Sequence, residues 1–134
     1  MSSKRTGRAT GEKGQSLVET ALVLPIIILI LTAIIDFGFV FNNYLIVSSA
    51  SREGARSAVV GYNDTEIRQI ISSITSTLDS TKLTISISPS QASRDPGDEV
   101  TITVEYKNSL MTPVISSILP NPLEIKGKTV MRME

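Results

Sequence analysis

A long apolar run near the N-terminus constrains this chain more than any other feature of its sequence. The run extends over Leu17–Phe41, and within Ala21–Ile35 the only non-aliphatic residues are Pro25 and Thr32. A helix needs about 20 mostly apolar residues to cross the hydrocarbon core of a bilayer. A secretory signal peptide has a shorter apolar region, of about 7–15 residues, followed by a small-residue cleavage site. No such site follows here, so the run predicts a retained, membrane-spanning helix.

Charge is distributed unevenly around this run. The first fourteen residues contain four basic residues and only one acidic residue, although the whole chain has a formal net charge of zero. Positively charged segments flanking a span remain on the cytoplasmic side. We therefore expect residues 1–14 in the cytoplasm and the residues after Asp36 outside the membrane. A basic arm for nucleic acid is the alternative, but the position directly before an apolar run favours topology, and no nucleic-acid partner is predicted.

Composition argues against an enzyme. The chain of 134 residues contains no Cys, His or Trp. This removes disulfides, the commonest zinc ligands and the commonest general base. Ser, Lys and Asp remain, but they form no constellation at catalytic spacing, so a membrane-anchored hydrolase is not favoured. Three carboxylates near one turn, Asp95, Asp98 and Glu99, do not have EF-hand spacing and predict a solvated turn. We expect no metal and no cofactor.

Two carboxylates in the apolar segment need an explanation, because an unpaired charge in lipid is costly. Asp36 lies near the end of the run, where it either extends to water or takes part in assembly. Glu19 lies five residues after Gly14, in the stretch "GQSLVE" between the basic leader and the apolar helix. This arrangement resembles the processing site of type IV prepilins. The resemblance implies cleavage between Gly14 and Gln15, and pairing of Glu19 with the new Gln15 ammonium group of a neighbouring subunit.

The helix is expected to continue beyond the membrane. Aromatic residues follow Asp36 and indicate an interfacial belt, and Gly61 is a plausible end, so the predicted helix is Gln15–Val60. Small residues recur every four positions at Ala50, Gly54 and Ala58, which favours close packing, either on the chain's own domain or on a partner. The charged residues interleaved with this stripe form either a solvated face or contacts with a partner: Arg52, Glu53 and Arg56.

Several short motifs in this region together resemble the TadE-like family of minor pilins or pilus-assembly proteins of the tight-adherence (Flp) system. The matching stretches are Gly14–Glu19, Leu24–Pro25, Asp36–Gly38 and Arg52–Arg56. In major Flp pilins the Glu is usually followed by Tyr, whereas Thr20 follows it here and a sizeable domain follows the helix. The resemblance implies a single-pass cell-membrane protein or pilus component. Its implied partners are a prepilin peptidase, other pilin-like subunits and the Tad pilus machinery.

The remaining residues predict a small α+β domain. Asn63 and Glu66 form a capping-box pattern before an amphipathic helix. Its apolar stripe comprises Ile67, Ile70, Ile71, Ile74 and Leu78. Alternating residues predict three antiparallel strands, at Lys82–Ser88, Glu99–Lys107 and Leu123–Met133, with a bulge near Gly127 in the third. The proline-rich segment between the last two strands is expected to be a loop or short helical turn over the sheet.

The predicted organisation therefore has three parts. Residues 1–14 form a basic leader, residues 15–61 form a transmembrane helix with an extracytoplasmic extension, and residues 62–134 form a small domain with one helix on a three-stranded sheet. The leading hypothesis is a minor pilin or assembly factor. The alternatives are an uncleaved, signal-anchored binding module outside the cytoplasm and, closer to the first, a general secretion pseudopilin.

Overall fold

The structure, a computed structural model, describes residues 8–134, with side chains from Gly11 onwards. Its main elements in chain order are α1 (Arg8–Val60), α2 (Asp64–Ile74), β1 (Leu83–Ser88), β2 (Glu99–Asn108), α3 (Pro113–Ile118) and β3 (Leu123–Arg132). Single 3₁₀ turns at Ser80–Lys82 and Gln91–Ser93 precede and follow β1. The strands form an antiparallel sheet in the order β1-β2-β3. The predicted α+β class, with a long N-terminal helix and a small three-stranded domain, is confirmed.

Helix α1 begins earlier than the sequence predicted. The expected start was Gln15, but the chain is already helical at Arg8, the first described residue, and the helix passes through Gly14 and Pro25 without interruption. Arg, Ala, Glu and Lys in the leader are good helix formers, and each glycine costs only about 1 kcal/mol relative to alanine. The 53 residues of α1 correspond to a length of about 80 Å at a rise of 1.5 Å per residue.

The first half of α1 is an exposed apolar cylinder. Nearly all of its large aliphatic side chains are solvent-exposed, and Asp36 is the one fully buried residue within Leu17–Phe41. In the part of the chain that the structure describes, α1 is the one helix long and apolar enough to cross a membrane. Such a surface is stable in lipid rather than in water, which agrees with the predicted span.

The second half of α1 completes the core of the domain. Val47, Ala50 and Ala58 are fully buried together with the β2 side chains that face the helix, among them Ile102 and Val104. Gly54 is also buried, and a Cβ atom there would lie 2.8 Å from the Cδ1 atom of Ile71 in α2. Of the two packing partners considered for the small-residue stripe, the structure places the chain's own domain against it.

Strand β3 pairs with β2 without the predicted bulge. The register is continuous through Val104↔Gly127, with Ile102↔Thr129 and Tyr106↔Ile125 on either side. Glycine is needed at this position for a different reason: a Cβ atom on Gly127 would lie 2.7 Å from the backbone oxygen of Val47 in α1. The bulge prediction is therefore wrong, and at Gly127 the strand lies too close to the helix backbone to leave room for a side chain.

Helix α2 begins as its sequence predicted. The Asn63 side chain accepts a hydrogen bond from the Glu66 backbone N–H, and the Glu66 carboxylate accepts one from the Asn63 backbone N–H. This reciprocal capping box is confirmed. Ile67 and Ile71 are buried, and Ile74 and Leu78 pack against the same core. The helix ends at Ile74, before Leu78, where the backbone N–H and hydroxyl of Thr75 both bond to the Ile71 carbonyl.

The proline-rich segment forms α3, but it lies against α1 rather than over the sheet. Ile115 and Leu119 line a small apolar cavity together with Phe37 and Val40 of α1. Leu110 and Leu123, at the ends of the two flanking strands, close the same cavity. The predicted position over the sheet is therefore wrong. The core face of the sheet is covered by α1 and α2, so α3 lies at the end of the sheet.

The close approach at Gly127 can be tested by replacing it with alanine. In Gly127→Ala the new methyl group meets backbone atoms that cannot rotate away, so we expect the domain to lose about 1–3 kcal/mol of stability. The matched control is Gly38→Ala, because a Cβ atom at Gly38 has nothing within 4 Å. Thermal unfolding of the full chain in detergent micelles measures both variants. Equal midpoints for the two variants would contradict the proposed steric role.

Candidate functional site

The residues singled out in the sequence lie at three levels of α1 rather than in one pocket. Gly14, Gln15 and Glu19 are near its N-terminal end, Asp36 is near its middle, and the charged group beginning at Arg52 is near its C-terminal end. Twenty-two residues separate Gly14 from Asp36, which corresponds to about 33 Å along a helix. The three levels are therefore too far apart to form one pocket.

At the N-terminal level, Gly14, Gln15 and Glu19 are exposed. A Cβ atom at Gly14 would meet nothing within 4 Å, so no neighbouring side chain covers this position. Neither of the two ion pairs in the described part of the chain includes Glu19. Its neighbours Val18 and Leu22 are exposed apolar residues. Glu19 thus combines an apolar surrounding with a charge that has no counterion among the described residues.

Asp36 has a different environment. Only 4% of its surface is exposed. Its Oδ2 atom accepts hydrogen bonds from the backbone N–H groups of Thr112 at 2.6 Å and Met111 at 3.2 Å, and its Oδ1 atom lies 3.3 Å from the same Met111 nitrogen. The sequence left Asp36 either exposed to water or engaged in assembly. In the structure it is a buried acceptor that ties α1 to the start of α3.

Two further polar contacts connect α1 to the sheet on the C-terminal side of Asp36, and sequence reasoning missed both. The Asn43 Nδ2 atom donates to Asn108 Oδ1 at 2.7 Å, and the hydroxyls of Ser51 and Thr129 are 2.8 Å apart. Asp36, Asn43 and the Ala50–Ser51 pair are spaced by about two helical turns, so they share one face of α1. Polar residues at a seven-residue spacing within an apolar helix are the signal that would have found this face.

The three charged residues near the C-terminal end of α1 point outward. Arg52, Glu53 and Arg56 are all exposed. In the described residues, no ion pair joins Glu53 to Arg56 or to Arg52. The buried small residues on the opposite face fix the rotation of the helix, so these three side chains are presented away from the domain. Their geometry suits either solvent or a partner, as the sequence indicated.

A buried arginine elsewhere in the domain was also missed. The Arg94 side chain is 4% exposed and forms an ion pair with Asp64 at the start of α2. Its Nε atom donates to the Pro89 carbonyl at 3.0 Å, and the backbone N–H of Gln91 donates to Asp64 at 3.2 Å. The buried arginine side chain, its partly exposed partner Asp64 and these additional bonds fix the β1–β2 loop to α2. Its role is structural.

The predicted carboxylate-rich turn is held by its own backbone. The Asp98 carboxylate accepts a hydrogen bond from the backbone N–H of Asp95 at 2.9 Å, and the Asp98 N–H donates to the Asp95 carbonyl at 3.1 Å. Gly97 adopts a φ of 93°, a conformation that glycine reaches without strain. These hydrogen bonds and this backbone conformation explain why aspartate and glycine occupy the turn.

Taken together, these features define a membrane-anchored protein with one long apolar helix and a small α+β domain fixed to its second half. The model of the TadE-like protein family matches residues 14–56. That match confirms the resemblance seen in the motifs of α1, and the similarity to this family extends over this N-terminal part of the chain. The sheet, α2 and α3 lie outside the matched residues. No curated protein and no solved structure matches the chain.

The clamp formed by Asp36 can be tested through the two amides that it binds. Asp36→Ala leaves the N–H groups of Met111 and Thr112 without their acceptor, at a cost of about 1–3 kcal/mol. Because about 1.4 kcal/mol corresponds to a tenfold change, hydrogen exchange at these two amides should accelerate roughly tenfold or more. Asp36→Asn keeps an acceptor oxygen and should show a smaller effect. Asn42→Ala, an exposed neighbour on α1, is the control, and exchange equal to that control would exclude the clamp.

Proposed function

We propose that the chain is a structural, non-enzymatic minor pilin or assembly factor of a Flp/Tad-type pilus. It is matured by cleavage after Gly14 and assembles through the apolar N-terminal half of α1. The observation that carries this proposal is the exposed Glu19, which has no ion-pair partner among the described residues. It lies five residues after the exposed Gly14, at the start of the apolar run of α1. The TadE-like match over residues 14–56 supports the pilus system as the context.

The processing step needs an accessible peptide bond at the membrane surface. Gly14 and Gln15 are exposed, and glycine leaves the backbone uncovered by any side chain of its own. The basic leader favours a cytoplasmic position for this end of α1. A membrane-embedded prepilin peptidase would therefore cut from the cytoplasmic side, and the domain would stand outside the membrane.

Cleavage would create the counterion that Glu19 lacks. The new ammonium group of Gln15 is positive and sits at the N-terminus of a helix, where the free backbone N–H groups add further positive potential. In the poorly polarisable surroundings of lipid or a helix bundle, a carboxylate and an ammonium attract strongly, and each alone is destabilising. Pairing Glu19 of one subunit with Gln15 of the next would satisfy both charges and set the stagger between neighbouring helices.

The exposed charges at the other end of α1 supply a second candidate contact. Arg52, Glu53 and Arg56 lie on the face turned away from the domain. Helices packed side by side through their apolar halves would carry these residues towards neighbouring subunits or towards the Tad machinery. Opposite charges within one short stretch suit pairing between identical or related subunits.

Processing can be tested by placing an arginine at either of two glycines of the leader. In cells that contain the peptidase, Gly14→Arg should block cleavage, because a long charged side chain occupies the open position before the scissile bond. Mass spectrometry should then find the leader still attached. Gly11→Arg, which adds the same side chain one helical turn away, should still yield a product that begins at Gln15. A wild-type protein that retains its leader would refute the proposal.

The role of Glu19 can be tested separately from cleavage. Glu19→Gln preserves the size of the side chain but removes its charge, so we expect cleavage to proceed while incorporation into complexes or fibres falls at least tenfold. Glu12→Gln, in the leader, is the matched control and should assemble normally. Co-purification with other pilus subunits measures the result. Normal assembly of the Glu19 variant would favour an uncleaved or independent binding module instead.

A further inference from the structure

One side of α3, next to the side that packs on α1, is apolar and uncovered. Met111, Val114 and Ile118 are 77%, 44% and 77% exposed. Met111 directly precedes the N-cap of α3, and the four-residue spacing of Val114 and Ile118 places those two on one side of the helix. Ile115 and Leu119 line the cavity against α1. We call Met111, Val114 and Ile118 the outward face of α3. Large apolar side chains grouped in this way are unusual on a surface that meets only water.

The Asp36 clamp fixes the depth of this face relative to the membrane. A bilayer core is about 30 Å thick, which is the length of about 20 helical residues at 1.5 Å each. Counted from Leu17, the apolar run reaches that length at Asp36. The hydrogen bonds from Met111 and Thr112 to Asp36 therefore hold the start of α3 at the domain-side boundary of the bilayer.

Charge and neighbouring side chains agree with this depth. Every residue from Asn108 to Leu123 is uncharged, so the segment carries no ionised side chain that resists leaving water. Phe37 and Phe41 of α1 are exposed at the same level. Aromatic residues prefer the membrane interface, and short amphipathic elements insert about 5–10 Å into the headgroup and acyl boundary.

We propose that the outward face of α3 lies in the lipid interface of the bilayer that α1 spans, on the domain side. The occupant is lipid because α3 packs on α1 beside Phe37, at the end of the exposed apolar span, and its segment carries no charge. The domain is then held to the membrane at two points, by the transmembrane helix and by a contact that does not cross the membrane. This inference does not depend on cleavage after Gly14.

The experiment uses single spin labels, because a chain without cysteine accepts one unique thiol. The full chain carrying Ile118→Cys is labelled and reconstituted into phosphatidylcholine–phosphatidylglycerol vesicles. Collision rates are then measured with oxygen, which concentrates in lipid, and with a water-soluble nickel chelate. Val114→Cys is a second reporter on the same face. Tyr62→Cys is the matched control, since Tyr62 is also exposed but lies just after the end of α1, which is 24 residues, about 36 Å, beyond Asp36.

We expect the oxygen-to-nickel collision ratio at residues 118 and 114 to exceed the ratio at residue 62 by at least fivefold. A ratio equal to that at residue 62 would place the face in water and overturn the proposal. Low collision rates with both reagents, rising as the protein is diluted with lipid, would identify a second copy of the chain as the occupant and would also overturn it. All three labelled positions are exposed, so the labels do not disturb the core.

Discussion

The fold depends on the contact between the second half of α1 and the sheet. The domain's own elements supply the buried side chains of β2 and two isoleucines of α2, but the other side of this core consists of Val47, Ala50 and Ala58 of the helix. The approach is so close that β3 carries glycine where it passes the Val47 carbonyl. A domain of this size buries little surface by itself. Anchor and domain therefore form one structural unit, and the domain follows the orientation of the helix.

The two carboxylates in the apolar segment meet the same physical constraint in different ways. A charge removed from water must be compensated by hydrogen bonds or by a counterion. Asp36 is compensated within the chain, by two backbone N–H groups more than seventy residues away in sequence. Glu19 has no ion-pair partner in the described residues. The first carboxylate therefore shapes the protein, whereas the second leaves a requirement that another molecule can meet. This contrast is the physical basis for assigning assembly to Glu19 rather than to Asp36.

Sequence reasoning succeeded where the determining interactions are local. The apolar run, the capping box at Asn63 and the alternation along β2 each follow from neighbouring residues, and each is present in the structure. It failed where distant segments meet. Gly127 suggested a bulge because nothing in the strand reveals the helix backbone that passes over it. The partners of Asp36 are backbone N–H groups, which every residue except proline has, so no side-chain pattern identifies them. The position of α3 against α1 follows from the same clamp and was missed for the same reason.

The motifs that suggested the TadE-like family now have physical explanations that differ along the helix. In Asp36–Gly38, the aspartate holds the segment before α3, so a neutral apolar residue there would leave two buried amides without an acceptor. In Arg52–Arg56, Gly54 lies where a side chain would collide with Ile71 and Ile102, while the charged residues around it face outward. The matched residues 14–56 thus combine an exposed glycine at one end, an apolar span, and the helix face that packs on the domain. Because α1 is one continuous helix, a neighbouring subunit that aligned with its apolar half would also set the positions of the charged residues Arg52–Arg56 and of α3 relative to itself.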